Sequence, residues 1–310
     1  MGLGDDITLA ALESTPEPIL ARLRAEEPVC WVPALDMWLV TRWDDVDHVE
    51  QHPELFTAAT EPSFLARALG SNMLTCDPPA HTRLQQIMQP PFQAGGRSGR
   101  LVTDELPTIA DRLLDHCSPD GFDLMSGYAD VLSAGALATV LGLDDHGFDR
   151  MWAWCEGLCA DLANFENDPE LTALGERAKA ELGAAIEGRL ADAEGDSAIA
   201  WFVAHGASPE EVVNNVRLMI SGGINEPRDG IGLVAWVLLT RPDLRERALG
   251  DARSMRRLIE EVFRVYSPVG TVTRQATRDL ELAGTSIAEG QLVSGVLRSI
   301  NLDEDHWDPH

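Results

Sequence analysis

The stretch from Pro209 to Thr240 constrains the fold most, because it predicts one helix of unusual length. Ser208 and Glu211 have the spacing of a capping box, and Pro209 suits a first turn, so the helix is expected to begin there. About 30 residues at about 1.5 Å each give roughly 45 Å, a length that few globular helices reach. Ile231 to Leu239 is interrupted only by Gly232 and is apolar on all sides. A helix of that kind is expected in the middle of a protein, not on its surface.

The middle of this helix reads Ser221-Gly-Gly-Ile-Asn-Glu-Pro-Arg-Asp. Two glycines and a proline cost several kcal/mol of helix propensity, roughly 1 for each Gly and 3 for Pro. They are also expected to open and kink the backbone. One interpretation is a long helix that bends around the core. The other is a groove that admits a ligand against the backbone, with Asn225 and Glu226 beside it. A carboxylate there is either paired with a cation or used in chemistry.

Helical patterns dominate the rest of the chain and predict a mainly α (α+β) fold with small β-sheets, as one domain over residues 1–310. Two β-like runs, Val29–Pro33 and Met37–Thr41, predict a hairpin, and the alternation from Val272 to Asn301 predicts short strands. The other predicted helices are Thr15 to about Glu27, Trp43–Gln51, Pro79–Gln89, Leu101–His116, Asp123–Leu141, Asp144–Ala163, Pro169–Ala191, Pro242–Ala248 and Ala252–Tyr266.

Composition argues against several classes of partner and location. Lys and Arg number 24 against 51 Asp and Glu, a net charge of −27 that repels the phosphates of nucleic acids. The acidic N-terminus lacks a signal-peptide pattern, and no apolar run approaches the roughly 20 residues that span a bilayer. We therefore expect no nucleic-acid partner, no membrane association and a cytoplasmic location.

Five scattered cysteines indicate reduced thiols rather than a disulfide framework. Cys155 and Cys159 are four residues apart in a helical stretch and share one face. A metal pair is conceivable there. No His or carboxylate pair elsewhere completes a recognisable ligand set, so buried free thiols are the preferred interpretation.

Four local patterns occur in one order along the chain. They are Asp77-Pro-Pro-Ala-His81-Thr-Arg-Leu, then Gly222-Gly-Ile-Asn-Glu226, then Glu261-Val-Phe-Arg264 with Tyr266-Ser-Pro-Val, and finally Arg274-Gln-Ala-Thr-Arg-Asp-Leu-Glu-Leu-Ala-Gly284. Each is weak alone, since a Glu and an Arg three residues apart are most often a solvated pair. Together, their order and spacing resemble the bacterial, soluble type of the cytochrome P450 family over essentially the whole chain.

The resemblance implies a multi-helix fold around a long central helix, with heme b (iron protoporphyrin IX) as cofactor. It implies a haem-thiolate monooxygenase that inserts one oxygen atom from dioxygen into a small apolar organic substrate. Electrons would come from NAD(P)H through a ferredoxin or similar donor. No Gly-x-Gly-x-x-Gly follows a predicted strand in this chain, so the donor is expected outside it.

The resemblance also implies residues that hold the cofactor. Arg274 corresponds to an arginine that pairs with one haem propionate, and His81 to a ligand of the second. Gly222 and Gly223 belong to the groove that admits the cofactor. The family usually has Arg four residues after the histidine, but Gln85 stands there, so propionate binding should be weaker on that side. Arg83 points elsewhere on the helix and is not assigned this role.

The expected proton relay departs from the family pattern. An acid followed by Thr commonly passes protons to dioxygen during its activation, but here Asn225 and Glu226 hold those positions and Pro227 follows. Glu226 is expected to act as the relay through water.

Glu261 and Arg264 are expected in a buried ion network with an arginine farther along the family's chain. The expected substrate contacts are the loop from Phe64 to Leu74, Ile224, and the segment from Val269 to Thr271. Apolar side chains at these places are equally what a plain core would show.

In the family, a Phe-x-x-Gly-x-x-x-Cys-x-Gly loop supplies the axial thiolate of the iron. None of the five cysteines lies in such a loop, so none is assigned that role. The preferred interpretation is a fragment of a family member, incomplete at the C-terminus. Without the helix that follows the ligand cysteine, the apolar run Ile231 to Leu239 should be partly uncovered. One alternative is a haem-free scaffold or partner-binding protein without catalysis, and another is a different helical ligand-binding protein with coincidental motifs.

Overall fold

The computed structural model describes residues 2–191 and 195–307. These residues form two compact units. The first comprises the described residues of Met1–Pro62 and Trp236–His310, and the second is formed by those of Ser63–Ala235. The expectation of one domain over residues 1–310 stays a prediction.

Helices are the commonest secondary structure in both units. In chain order they are α1 (Leu9–Ser14), α2 (Pro16–Glu26), α3 (Trp43–Gln51), α4 (Phe64–Leu69), α5 (Ala80–Met88), α6 (Arg97–Arg100), α7 (Leu106–His116), α8 (Asp130–Leu141), α9 (Phe148–Leu162), α10 (Pro169–Ala191), α11 (Ala198–Ala204), α12 (Pro209–Thr240), α13 (Pro242–Ala248), α14 (Ala252–Val265) and α15 (Leu297–Ile300). Single turns of 3-10 or π geometry occur at Leu3–Asp6, Met73–Thr75, Pro90–Phe92, Leu101–Glu105, Met125–Ala129 and Asp144–His146.

The strands all belong to the first unit. They are β1 (Val29–Val32), β2 (Met37–Val40), β3 (Phe56–Thr57), β4 (Val272–Ala276), β5 (Leu280–Leu282), β6 (Thr285–Ile287) and β7 (Leu292–Gly295). One sheet has the order β1-β2-β7-β4-β3, and β5 pairs with β6 alone. Within the larger sheet β2 and β7 run parallel, with Trp38 opposite Val293, and the other pairs are antiparallel. The predicted hairpin and the short strands after Val272 are confirmed.

The predicted start of α12 is confirmed by its hydrogen bonds. The Glu211 backbone N–H donates to Ser208 Oγ at 3.2 Å, and the Ser208 N–H donates to a Glu211 carboxylate oxygen at 2.8 Å. Arg83 holds the same carboxylate at 2.6 Å. This capping box satisfies donors that a helix start would otherwise leave unpaired.

The first half of α12 forms the wall of the second unit's core. Val212, Val216, Ile220 and Ile224 recur every fourth residue and are all fully buried. They join side chains from α5, α8, α9 and α10, among them Trp154 and Leu182, in one apolar cluster. The long helix is therefore held by packing on one face, as its spacing predicts.

The expected opening of α12 does not interrupt the helix. Every residue from Pro209 to Thr240 is helical, including Gly222, Gly223 and Pro227. Pro227 has no N–H to donate to the carbonyl of Gly223. The neighbouring carbonyl of Ile224 accepts from the Ser133 hydroxyl of α8 at 2.6 Å, an added tertiary bond beside the proline.

The second half of α12 is not buried as its apolar composition predicts. Of the run Ile231 to Leu239, only Val237 is buried, while Trp236 and Leu239 are 50% and 71% exposed. The expectation of a partly uncovered run is confirmed, and the expectation of burial on all sides is wrong for this half.

Candidate functional site

Glu226 lies on α12 with its carboxylate folded back over Gly222. A Cβ at Gly222 would come within 3.2 Å of Glu226 Oε1, so the glycine gives the carboxylate the room it occupies. Oε2 is buried and has no hydrogen-bond partner among the described residues. Burial raises the pKa of the Glu226 carboxyl, and nearby Asp229 raises it further. The neutral form of this carboxyl is therefore stabilised relative to that of a solvent-exposed glutamate.

A cavity of about 470 Å³ lies in the second unit beside the middle of α12. Its walls are mostly apolar, with a few polar groups such as Gln85 and Ser133. This is the character of ligand sites, which combine apolar walls with a few polar groups. The lining residues are Met73, Gln85, Met88, Gln89, Phe92, Ser98, Leu101, Val102, Leu106, Ser133, Ala136, Leu137, Val140, Met219, Gly223 and Pro227.

The cavity brings together only some of the residues that the sequence singled out. Gln85 and Gly223 both line it. His81 lies half-buried in the first turn of α5, one turn before Gln85, and it is not among the lining residues. Ile224, an expected substrate contact, is fully buried in the apolar core, because its place on α12 turns it away from the cavity that Gly223 lines.

Asn225 points toward α9 rather than into the cavity. Its side-chain amide donates to the Cys159 sulfur at 3.0 Å and lies 3.5 Å from the Ser221 carbonyl oxygen. Glu226 also lies near Cys155 and Cys159, and none of Asn225, Glu226 and Gly222 is among the residues that line the cavity.

The Arg83 side chain binds partners that do not line the cavity. It binds Glu211, and it also donates to the carbonyl of Gly206 at 2.9 Å. This agrees with leaving Arg83 out of the cofactor site.

Arg274 lies on β4 in the first unit. Its guanidinium donates to Glu50 at 2.6 Å and to the Thr273 carbonyl at 2.9 Å. The group expected to hold a propionate is thus paired with a carboxylate of its own unit. Val269 and Thr271 precede β4 and are exposed.

Glu261 and Arg264 form a bidentate ion pair on α14, with contacts of 2.6 and 2.8 Å. Arg264 also donates to the carbonyl of Asn301, and its guanidinium lies 5.3 Å from the ring centre of Trp307. The hydrogen bond from Arg264 lowers the pKa of Glu261, which keeps the carboxylate charged. The pair fastens α14 to the segment after α15, although Glu261 itself remains exposed.

The expected substrate loop from Phe64 to Leu74 contains structure that the sequence reading missed. Phe64–Leu69 is the helix α4, capped by Ser63, whose hydroxyl accepts from the Ala66 N–H at 3.1 Å. In the sequence, Ser63 directly before Phe64 was the signal that could have predicted the start of α4. Of the whole segment, only Met73 lines the cavity.

Two further polar groups near α12 were also missed. Ser133 binds the Ile224 carbonyl, and Arg228 forms an ion pair of 2.5 Å with Asp130 while lying over the ring of Trp152. Neither contact has a local sequence signal, since the partners are about 90 residues or more apart along the chain.

Within residues 2–191 and 195–307, no cluster of three or more His, Cys, Asp or Glu side chains could hold a metal ion. Of the helices described, none combines the length and apolar character that crossing a bilayer requires.

Glu226→Gln is expected to raise stability at neutral pH. In the folded chain the pKa of Glu226 is above its ordinary value of 4.5. The contribution of the neutral carboxyl to the free energy of unfolding is therefore fully present below pH 4.5. The contribution is lost as pH rises through the native pKa. The midpoint of thermal unfolding should therefore exceed that of wild type at about pH 8 and converge with it at about pH 4. Equal midpoints at both pH values would contradict the raised pKa.

Comparison with known proteins agrees with this fold. The model of the family described as Cytochrome P450 matches residues 243–310. The chain is 29% identical to Vitamin D(3) 25-hydroxylase of Pseudonocardia autotrophica, over 98% of this chain and 77% of that protein. It is 27% identical to Linalool 8-monooxygenase of Pseudomonas putida, over 94% of this chain and 77% of that protein.

The structure of CalO2 superposes with a TM-score of 0.84 at 25% identity, covering 97% of this chain and 79% of that one. The mainly helical fold with a long helix and small sheets is thus the fold of these proteins. Members of this family are haem-dependent and act on an organic substrate with electrons from a redox partner. The chain is thus similar to the cytochrome P450 proteins, a family of oxidoreductases that includes monooxygenases, over nearly its whole described length.

Proposed function

We propose that Glu226 is the proton relay of a monooxygenase and that the cavity lined by Gly223 and Pro227, on the same stretch of α12, takes part of the haem. The observation that carries the proposal is the Glu226 carboxyl, which has a buried oxygen without a partner and a raised pKa on the glycine-bearing turn of α12. A buried polar atom without a partner is costly, and such groups are frequent at functional sites.

The residues that line the cavity of the second unit suit haem. Gly223 presents no side chain to the cavity, and Gln85 lines the same cavity with an uncharged hydrogen-bonding amide. We assign Gln85, Gly222 and Gly223 to the cofactor, with His81 one turn before Gln85 as a propionate partner. Haem, when bound, would supply the activation of dioxygen and the transfer of one oxygen atom to the substrate.

In this proposal the chain's own residues control protons and water. Burial disfavours the charged form of Glu226, and its carboxyl passes a proton through water and is recharged from solvent. The apolar walls formed by Met88, Leu137 and Met219 offer water few hydrogen-bond partners in the cavity. Asn225, held by the Cys159 sulfur, fixes the turn that carries Glu226.

The finer assignments rest on the family resemblance. We propose a small apolar substrate, contacts from Val269 and Thr271, and a ferredoxin that delivers electrons from NAD(P)H. The hydroxylase and monooxygenase names of the two curated relatives support oxygen insertion into an organic compound. The apolar walls of the cavity support an apolar substrate class.

One observation favours the haem-free alternative, a scaffold that has kept the fold without catalysis. Arg274 is held by Glu50, and a propionate would have to displace that carboxylate. Whether the chain binds haem distinguishes the monooxygenase from the haem-free scaffold.

A haem titration followed by Soret absorbance tests Arg274 directly. Arg274→Ala is expected to weaken haem binding by about 10-fold or more, the worth of a charge-assisted hydrogen bond. Glu50→Gln should strengthen binding, because it releases the guanidinium from its ion pair. Arg278→Ala, an exposed arginine four residues on, is the matched control and should leave the affinity unchanged. Unchanged affinity in Arg274→Ala would remove the propionate role, and no saturable haem binding by wild type would favour the scaffold.

A further inference from the structure

Two thiols converge on one carbonyl oxygen behind the site. Cys155 and Cys159 lie one turn apart on α9, and their sulfurs are 3.8 and 3.4 Å from the Ser221 oxygen of α12. The Asn225 amide donates to the Cys159 sulfur at 3.0 Å. Cys155 is fully buried and Cys159 is partly exposed, so the pair has one side that solvent reaches. Neither thiol is used in the proposed oxygen chemistry.

The hydrogen bonds of the pair bring both sulfurs to one place beside α12. The S–H groups of Cys155 and Cys159 both donate to the Ser221 carbonyl oxygen, and the Asn225 amide donates to the Cys159 sulfur. Both thiols would therefore have to give up a proton before they could bind a metal. Only the thiolate form binds metals.

Helix geometry disfavours a disulfide between these cysteines. Side chains four residues apart have β-carbons about 5–6 Å apart. A disulfide needs about 3.5–4.5 Å, so oxidation would distort α9. A metal that bonds each sulfur at about 2.3 Å spans two sulfurs up to about 4.6 Å apart. A bridging cation therefore suits an intact helix better than a direct bond.

We propose that Cys155 and Cys159 form a two-thiolate site for a soft monovalent cation, copper(I). Thiolate ligands select copper(I), whereas structural zinc takes about four ligands. No cluster of three or more metal-ligating side chains is present in the described parts of the chain, so this site offers two sulfurs. Binding breaks two S–H bonds, forms two Cu–S bonds and releases two protons to solvent, with no change of oxidation state. Asn225 supports the Cys159 thiolate as an outer hydrogen-bond donor.

Anaerobic titration of the 310-residue chain with copper(I), in competition with a bathocuproine chelator, tests the site. Wild type should bind about one copper(I) per chain tightly, and Cys155→Ser or Cys159→Ser should each weaken binding by about 100-fold or more. Asn225→Ala should weaken it by about 10-fold. The matched control, in which Cys30, Cys76 and Cys117 are all changed to Ser, should bind like wild type. Loss of binding in that control, or retention in the Cys159 variant, would overturn the proposal.

A measurement on wild type guards against variants that fail to fold. Iodoacetamide labelling with peptide mapping should show that one equivalent of copper(I) protects Cys159, with lesser labelling of buried Cys155 in either state. Cys76 and Cys117 should label equally with and without copper(I). Equal labelling of Cys159 in both states would show that copper(I) does not bind at this pair.

Discussion

Replacing Glu226 with glutamine is expected to lower product formation by about 100-fold in the haem-loaded enzyme, at the low end of what general acid–base groups contribute. The amide keeps the shape and hydrogen-bonding capacity of the side chain but has no proton to deliver. NAD(P)H should still be consumed, so the ratio of product to NAD(P)H consumed falls. That ratio, measured with oxygen uptake, is the readout.

The pH profile separates a proton relay from a structural role. Glu226 donates only when protonated, and burial raises its pKa, so wild-type turnover should decline as pH rises through that raised pKa. Turnover by the Glu226→Gln variant should not show this decline as pH rises. Glu210→Gln, an exposed carboxylate in the first turn of α12, is the control and should match wild type. Full coupling in Glu226→Gln would refute the relay.

Trp154→Ala is expected to cost about 3–5 kcal/mol of unfolding free energy, the usual range for emptying a large buried aromatic site. Trp154 is the largest of the fully buried side chains and belongs to the core of the second unit. Its indole N–H also donates to Glu181 at 3.2 Å, which ties α9 to α10. Truncation would leave a cavity between helices that pack closely, as well as a carboxylate without its donor.

Urea unfolding followed by circular dichroism measures this cost. Trp236→Ala removes the same side chain from a half-exposed position and should cost less than about 1 kcal/mol. A similar cost for both variants would mean that burial does not set the energetics here.

The sequence by itself determined the local elements. The Ser208–Glu211 capping box and Pro209 marked the start of α12, and that helix ends at Thr240 as predicted. These features are local, because caps and periodicity act within a few residues of the backbone they stabilise. The Glu261–Arg264 pair was foreseeable for the same reason, since three residues on a helix bring two side chains together.

Only the tertiary structure decided what those elements face. Glu226 was a candidate from its position, but its unpartnered oxygen depends on how the surrounding helices bury it. The pairing of Arg274 with Glu50 joins residues more than 200 positions apart. The apolar run after Ile231 predicted burial, yet Trp236 and Leu239 lie open. Burial and charge pairing depend on which distant segments pack together, and helix propensity or spacing carries no information about that.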